Sequence, residues 1–312
     1  MGDVLSFGNL QLDVLCRPIS RLPAPGSLAR VEHIELALSG NGGNVAAALG
    51  RLGISVDLAG YRGADPVGDA FAATLTGLGV GTATLPRHPS AGSGTSVIAL
   101  APNGERTVLF VNGANALFTL DIVPDSWLEN RRLVSLSSVF VLPQFTGEAV
   151  GALFARARAA GAHTLLNTSW AVDGQQLDSL IPALAYTDTL VLSFDEGRQL
   201  TGLSTPMAVH DAAAARTAGE VVLTLGAAGC AFRDLGVWRH LPAEPVAATD
   251  CTGAGDSFVA GYIAGVLRGL PLAARARLGG LVASYAITGP GSYPRIPTLA
   301  EIERLHGGLI DG

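Results

Sequence analysis

The sequence predicts an α/β fold, with a mainly parallel central sheet flanked by helices in a single domain spanning 1–312. Three observations lead there. Short apolar runs alternate with helical patterns along most of the chain, the arrangement of successive βαβ units. The 40 glycines, together with abundant alanine, suit helices packed closely on a sheet. Hydrophobic residues make up 48% against 15% charged, so 312 residues can bury a sizeable core.

Taken in order, strands are expected at Val4–Gly8, Val56–Tyr61, Val134–Leu142, Thr164–Asn167, Leu190–Ser193 and Val221–Leu225, each a short apolar run. Helices are expected at Asn44–Leu52, Pro66–Leu78, Gly147–Ala160, Met207–Ala218, Asp256–Leu267, Leu272–Ala286 and Thr298–Leu305. Two stretches break the alternation, Cys16–Ser39 and Gly92–Asn112, which have strand-like content and no helix between. Within the second, Thr95–Leu100 and Arg106–Val111 read as a hairpin across Pro102-Asn103-Gly104.

Composition excludes several functions. Acidic residues outnumber basic ones 26 to 20, a net charge of −6, which disfavours nucleic acid, whose binding rests on cationic contacts to phosphate. No basic run suggests a membrane surface, and the apolar stretch Leu133–Phe145 is too short to cross a bilayer and contains Pro143. Cys16, Cys230 and Cys251 lie far apart, without metal-binding spacing, and the chain opens into an apolar strand without a charged leader; both fit a cytoplasmic protein. All 20 basic residues are arginine. Without lysine there is no Walker P-loop and no Schiff-base chemistry, so any phosphoryl chemistry takes its positive charge from metal, arginine or backbone amides. A dinucleotide fingerprint should follow the first strand, but Gly8-Asn9-Leu10-Gln11-Leu12-Asp13 stands there instead.

The most informative segment is Asp250-Cys251-Thr252-Gly253-Ala254-Gly255-Asp256-Ser257-Phe258. Three small residues, Gly253, Ala254 and Gly255, open an apolar helical run. Unpaired first-turn N–H groups and the positive dipole end can close there on an anion, most simply a phosphate. Asp256 in that first turn would sit beside the anion, where taking a proton from an attacking hydroxyl would give a carboxylate work to do. Helix capping by Asp256 and plain packing of the glycines is the simpler alternative.

A second Gly-rich segment, Ser39-Gly-Asn-Gly-Gly-Asn-Val-Ala-Ala-Ala-Leu-Gly-Arg-Leu-Gly53, precedes it by about two hundred residues. The ordered pair resembles the ribokinase-like (phosphofructokinase-B type) carbohydrate kinase family. The likeness extends over Gly8 to Asp13, the Gly60-to-Gly68 turn, Glu196, Thr224-Leu225-Gly226 and the tail from Thr288 to Pro297. It implies a parallel-sheet body and a small β lid formed by segments at about 14–39 and 92–113. It also implies phosphoryl transfer from ATP, with Mg²⁺, to a hydroxymethyl group of a ribose-, fructose- or ketodeoxygluconate-like sugar.

By the same resemblance Asp256 is the base and Gly253–Gly255 the anion hole. Asp13, placed at the end of the first strand, and Asn44, opening a helix, are sugar ligands, with Gly42 and Gly43 giving backbone access. Gln144 falls where ribokinases place an acidic sugar contact. Ser193, Thr224, Gly226, Gly229 and Gly255 line the nucleotide side, and Glu196 the Mg²⁺ region. Asp250 and Thr252 match positions that hold a monovalent cation in many members, but Arg295 stands where a small hydroxyl residue is usual. Ribokinases carry Lys and Gln where this chain has Asn41 and Val45. Lids in this family often pair into homodimers. Two other readings stay open: a nucleoside kinase, with Phe110 and Trp170 as candidate base shelves, and a non-catalytic sugar- or nucleotide-binding regulator.

Overall fold

A run such as Val4–Phe7, in which every side chain is buried, has no solvent face to alternate with; it belongs to a parallel sheet covered on both sides. The computed structural model describes residues 2–19, 21–102, 105–171, 174 and 176–310. Among them the strands are β1 Val4–Phe7, β2 Gln11–Arg17, β3 His33–Ser39, β4 Val56–Ala59, β5 Gly94–Leu100, β6 Arg106–Val111, β7 Leu133–Ser137, β8 His163–Asn167, β9 Thr189–Ser193, β10 Glu220–Thr224, β11 Cys230–Asp234 and β12 Val237–Leu241. The helices are α1 Asn41–Leu52, α2 Pro66–Gly77, α3 Asp125–Leu128, α4 Gly147–Ala159, α5 Ile181–Leu184, α6 Phe194–Thr201, α7 Pro206–Ala214, α8 Ala254–Leu267, α9 Leu272–Ala286 and α10 Leu299–Ile310.

Eight strands form the body sheet in the order β12-β11-β10-β9-β8-β7-β1-β4. It is parallel from β4 to β10, with the antiparallel β11–β12 hairpin at one edge. Consecutive side chains enter opposite cores. Val4 joins the cluster under α1, α8 and α9, and Leu5 joins the one under α4 and α7.

Several expected boundaries shift for local reasons. β7 stops at Ser137, five residues before the expected end, because Ser138 adopts φ 68° and the chain turns back through a Val141 N–H to Ser138 carbonyl bond of 2.9 Å. The apolar residues Val139, Phe140 and Leu142 are buried in that turn, not in a strand. The β11–β12 hairpin escaped the sequence reading although Leu235-Gly236 turns it with positive φ at both residues. α7 ends at Ala214, short of the expected Ala218.

The second sheet has the order β3-β2-β5-β6, with β2–β5 parallel and the other two pairs antiparallel. It begins at Gln11. Asp13 therefore lies within this lid, paired with Ala37 and Ser96, and not at the end of the first body strand as expected. The turn residues Asn103 and Gly104 lie outside the described residues. Asn115 ties the lid's roots: it accepts the Leu10 N–H (3.0 Å) and donates to the Leu10 carbonyl (2.8 Å) and the Asn112 carbonyl (2.9 Å).

Candidate active site

α8 begins with Gly253 as its N-cap at φ 71°, a conformation that favours glycine, and a Cβ there would strike Ser292 at 2.3 Å. Ser257 ties the same turn to the opposite loop by donating to the Ser292 carbonyl (3.0 Å). A Cβ on Gly255, in contrast, would meet nothing within 4 Å. The first turn of α8 is thus fixed from behind and open in front, with its N–H groups in the orientation an anion needs.

Asp256 occupies the third helical position and is buried, 4% exposed. Burial pushes its pKa up to about 7; the Asn44 and Asn41 amides oppose the rise and the Glu196 charge adds to it. Asn44 Nδ2 donates to one carboxylate oxygen at 2.8 Å and Asn41 Nδ2 to the other at 3.0 Å. A buried acid half-ionised near neutral pH, beside an anion-binding turn, is poised to accept a proton.

Asn44 does not open α1 as expected: Gly40 caps the helix, and Asn44 lies inside its first turn. Its Oδ1 is buried without a partner, an acceptor left for a hydroxyl. Sequence reasoning treated Asn41 only as a departure and missed its bond to Asp256, which spans 215 positions of the chain. Gly42 and Gly43 have packing reasons: a Cβ on Gly42 would strike the Gly8 backbone at 2.5 Å, and one on Gly43 the Leu10 side chain at 2.9 Å.

Asp13 lies under the lid between the Ser39 and Ser96 hydroxyls; burial raises its pKa while both hydroxyls pull it back. Gln11 donates to Ser96 Oγ at 3.0 Å, and its Oε1 is buried without a partner. Register puts Phe110 opposite Ser96 on the face that carries Asp13. Gln144 is exposed and makes no polar contact with the other predicted sugar ligands.

On the other side, Ser193 caps α6 in a capping box with Glu196. Ser193 Oγ accepts the Glu196 N–H (3.2 Å), and Glu196 Oε2 accepts the Ser193 N–H (3.1 Å). Thr168, another residue the sequence did not suggest, donates to the same Oε2 at 2.9 Å. The turn after β10 closes through Leu225 N–H to the Gly229 carbonyl (2.7 Å). Gly229 is required because a Cβ would strike the Leu241 carbonyl at 2.0 Å, whereas Gly226 faces open space beside Thr224.

Asp250 accepts the Thr252 N–H at 2.9 Å and the Gly291 N–H at 3.1 Å. Burial would raise its pKa, but Thr252, Gly291 and the charge of Arg106 on the lid outweigh that and hold it low. Arg295 lies across Gly289, where a Cβ would meet its Nε at 2.5 Å, so an arginine borders the predicted cation loop.

Thr168, Ser193 and Thr224 lie at the carboxyl ends of β8, β9 and β10, and Asn41, Asn44 and Asp256 at the helix N-termini of α1 and α8, the ligand edge of an open α/β sheet. Known proteins resemble this chain in sequence and in fold. Mouse ribokinase is 29% identical over 264 residues, 82% of this chain and 79% of its own. A fructokinase of Klebsiella pneumoniae is 28% identical over 279 residues, 84% of this chain and 89% of its own. The structure of Arabidopsis thaliana ribokinase complexed with ribose and ATP matches with a TM-score of 0.87 at 23% identity, covering 97% of this chain and 98% of that one. The family model for pfkB family carbohydrate kinases matches residues 1–299, and this chain belongs to that family.

Proposed function

We propose that this carbohydrate kinase transfers the γ-phosphoryl group of ATP to the hydroxymethyl oxygen of a small neutral sugar. The observation that carries the reading is Asp256, buried in the first turn of α8 with its pKa raised to about 7 beside the open Gly255 face. The sugar hydroxyl gives its proton to Asp256 as its oxygen bonds the γ-phosphorus. The bond from phosphorus to the β–γ bridging oxygen breaks, and ADP leaves with that electron pair. Amides of Gly253–Gly255 face the charge that builds on the transferring group. Holding the two reactants in line supplies much of the acceleration.

Glu196 fits a Mg²⁺ region: both bonds to its carboxylate fall on Oε2, and a single acidic side chain suits a cation that keeps most of its waters. Mg²⁺ bound there would neutralise phosphate charge. Asp13, Asn44 Oδ1 and Gln11 Oε1 offer acceptors for sugar hydroxyls, and this set holds no cation suited to a sugar acid or sugar phosphate. The outer lid row Leu36, Val14, Val97 and Leu109 is apolar, with Leu36 67% and Leu109 56% exposed; its burial supports a homodimer paired through the lid. The described residues contain no helix long and apolar enough to cross a membrane, and three unpaired cysteines support a cytoplasmic setting.

A substrate panel with MgATP tests the assignment: ribose, fructose, 2-keto-3-deoxygluconate, tagatose-type phosphates, adenosine, inosine and pseudouridine. We expect a neutral sugar to give the highest kcat/KM. Phe110 on the Asp13 face is the observation that favours a nucleoside instead. A tenfold preference for a nucleoside over every sugar would move the substrate class and leave the mechanism standing. No turnover with any acceptor would favour a regulator.

A further inference from the structure

Asp256 is served by two amides, one on each carboxylate oxygen, and they have different anchors. Asn44 sits within the first turn of α1 and is itself buried. Asn41 is the first residue of that helix, and its backbone is held separately: its N–H donates to Asn9 Oδ1 at 3.0 Å, and the same oxygen accepts the Ser138 hydroxyl at 2.9 Å. Asn9 in turn offers its carbonyl to the Gly43 N–H at 3.2 Å. Ser138, the left-handed residue that opens the turn after β7, therefore braces the loop after β1, which braces Asn41, which reaches across to α8. Gly8 and Gly42 leave no room for that helix start to retreat, since a Cβ on either would strike the other's backbone at 2.5 Å.

The chemistry of the contact is unambiguous. An ionised carboxylate only accepts, so the Asn41 atom facing it is the amide nitrogen. Two neutral donors favour the ionised form of a buried acid and fix its plane, yet add no positive charge. A cation in the same place would lower the pKa of the acid further. With amides, the carboxylate stays oriented and basic together.

We infer that Asn41 is a positioning residue for the phosphoryl-transfer base: its amide, braced by Asn9 and Ser138, holds one oxygen of the Asp256 carboxylate so that the other lone pairs face the acceptor hydroxyl. This rests on the reading of Asp256 as the base. Asn41 acts on turnover through Asp256 and not through affinity for the nucleotide.

The test pairs Asn41→Ala with the isosteric Asn41→Asp, which keeps the shape and removes the donor. Asn41→Ala should lower kcat about 10- to 100-fold, the loss expected for one hydrogen bond to a charged group, with ATP KM within two-fold. The acid limb of kcat/KM should move to higher pH by about one unit, because one stabiliser of the ionised base is gone. Asn41→Asp should be worse than Ala, since it sets a second acid against the first. Titration of the Asp256 carboxyl by ¹³C NMR, assigned with Asp256→Asn, gives a readout without turnover and should show the same upward shift in both variants. Wild-type kcat and an unmoved acid limb in Asn41→Ala would overturn the inference, as would a raised sugar KM with kcat intact, which makes Asn41 a substrate ligand. If Asp256→Asn itself stays active, the base assignment fails. If Asp256→Asn is inactive and Asn41→Ala behaves as wild type, only the positioning role fails.

Discussion

At the amino ends of the strands, a cavity of about 580 Å³ is lined by Arg132, Arg158, His163, Asp188, Glu220 and Arg275, among others. At the carboxyl ends, Asp256 has asparagine amides as partners, and Asp13, in the lid, has serine hydroxyls. The first edge is richer in charge, yet its charges are matched. Glu220 accepts two bonds from Arg275 (2.9 and 3.1 Å) and one from the Tyr262 hydroxyl (2.7 Å), and Arg158 stands 3.6 Å from Asp188. Burial keeps His163 below its ordinary pKa, with a ring nitrogen on the Thr189 hydroxyl at 2.9 Å. At the second edge neutral donors orient the acids without discharging them, and both acids are raised. What sets the second edge apart is its unmatched carboxylates, not its density of charge.

The strongest challenge to that contrast is Asp256→Asn. It should lower kcat by roughly 10²–10⁴ while sugar and ATP dissociation constants stay within several-fold. Because Asp256 holds its proton more tightly folded than unfolded, where an aspartate titrates near 3.9, it lowers stability as pH rises from about 4 through about 7. Asp256→Asn should therefore be more stable than wild type at pH 8 and lose that advantage by pH 4, as read by urea unfolding. Retention of a tenth of wild-type kcat, or a stability gain that grows toward acid, would break the contrast.

Asp13→Ala probes the other unmatched acid. A hydroxyl bonded to a charged acceptor is worth about 1.5–3 kcal/mol, so sugar KM should rise on the order of 10- to 100-fold and ATP KM little. Equal damage to both would make Asp13 structural.

At the matched edge the effect should fall on stability alone. Glu220→Gln leaves Arg275 and Tyr262 short of a charged acceptor in a partly buried place. A loss of on the order of 1–3 kcal/mol, seen as a Tm lower by a few degrees, should accompany a kcat within about two-fold of wild type. A large fall in kcat with Tm unchanged would show that the far edge takes part in turnover.

The smallest expected effect is a null one. With Arg295 lying across Gly289, rates in sodium, potassium and a bulky organic cation at equal ionic strength should agree within about two-fold. Strong potassium activation would show a cation held beside Asp250 in spite of the arginine.

The start of α8 was legible because its signal is local: Gly253 to Asp256 are consecutive, and a helix start is written in four residues. The parallel strands of the body were legible as short apolar runs, and the β11–β12 hairpin was not. The run through Leu142 misled because burial and strand are different things; Val139 and Phe140 are buried by a turn that one left-handed serine imposes. Asp13 was placed on the wrong element because nothing in Gly8-to-Asp13 says that the chain leaves one sheet at Gly8 and enters another at Gln11. Gln144 was nominated by position alone, and no contact gathers it to the others. Asn41 with Asp256 and Thr168 with Glu196 are meetings between distant elements, and one sequence carries no trace of such pairs.

Asn115 holds Leu10 and Asn112 together, and the other two passages between body and lid crowd the same spot. A Cβ on Gly94 would strike the Asn115 amide at 2.5 Å, and one on Gly40 the Asn9 carbonyl at 2.5 Å. Four chain crossings gathered at one root turn the lid into a plate on a single pivot, whose strands cannot swing one by one. If Asp13 takes the sugar as proposed, it and Arg106, whose charge reaches Asp250, would arrive in one swing. Whichever substrate binds first would then complete orientation that the second need not repeat, and linkage would make that help mutual. Calorimetric affinities for the sugar with and without a non-hydrolysable ATP analogue should differ by the same factor as those for the analogue with and without sugar, and a factor of one would mean the plate does not move.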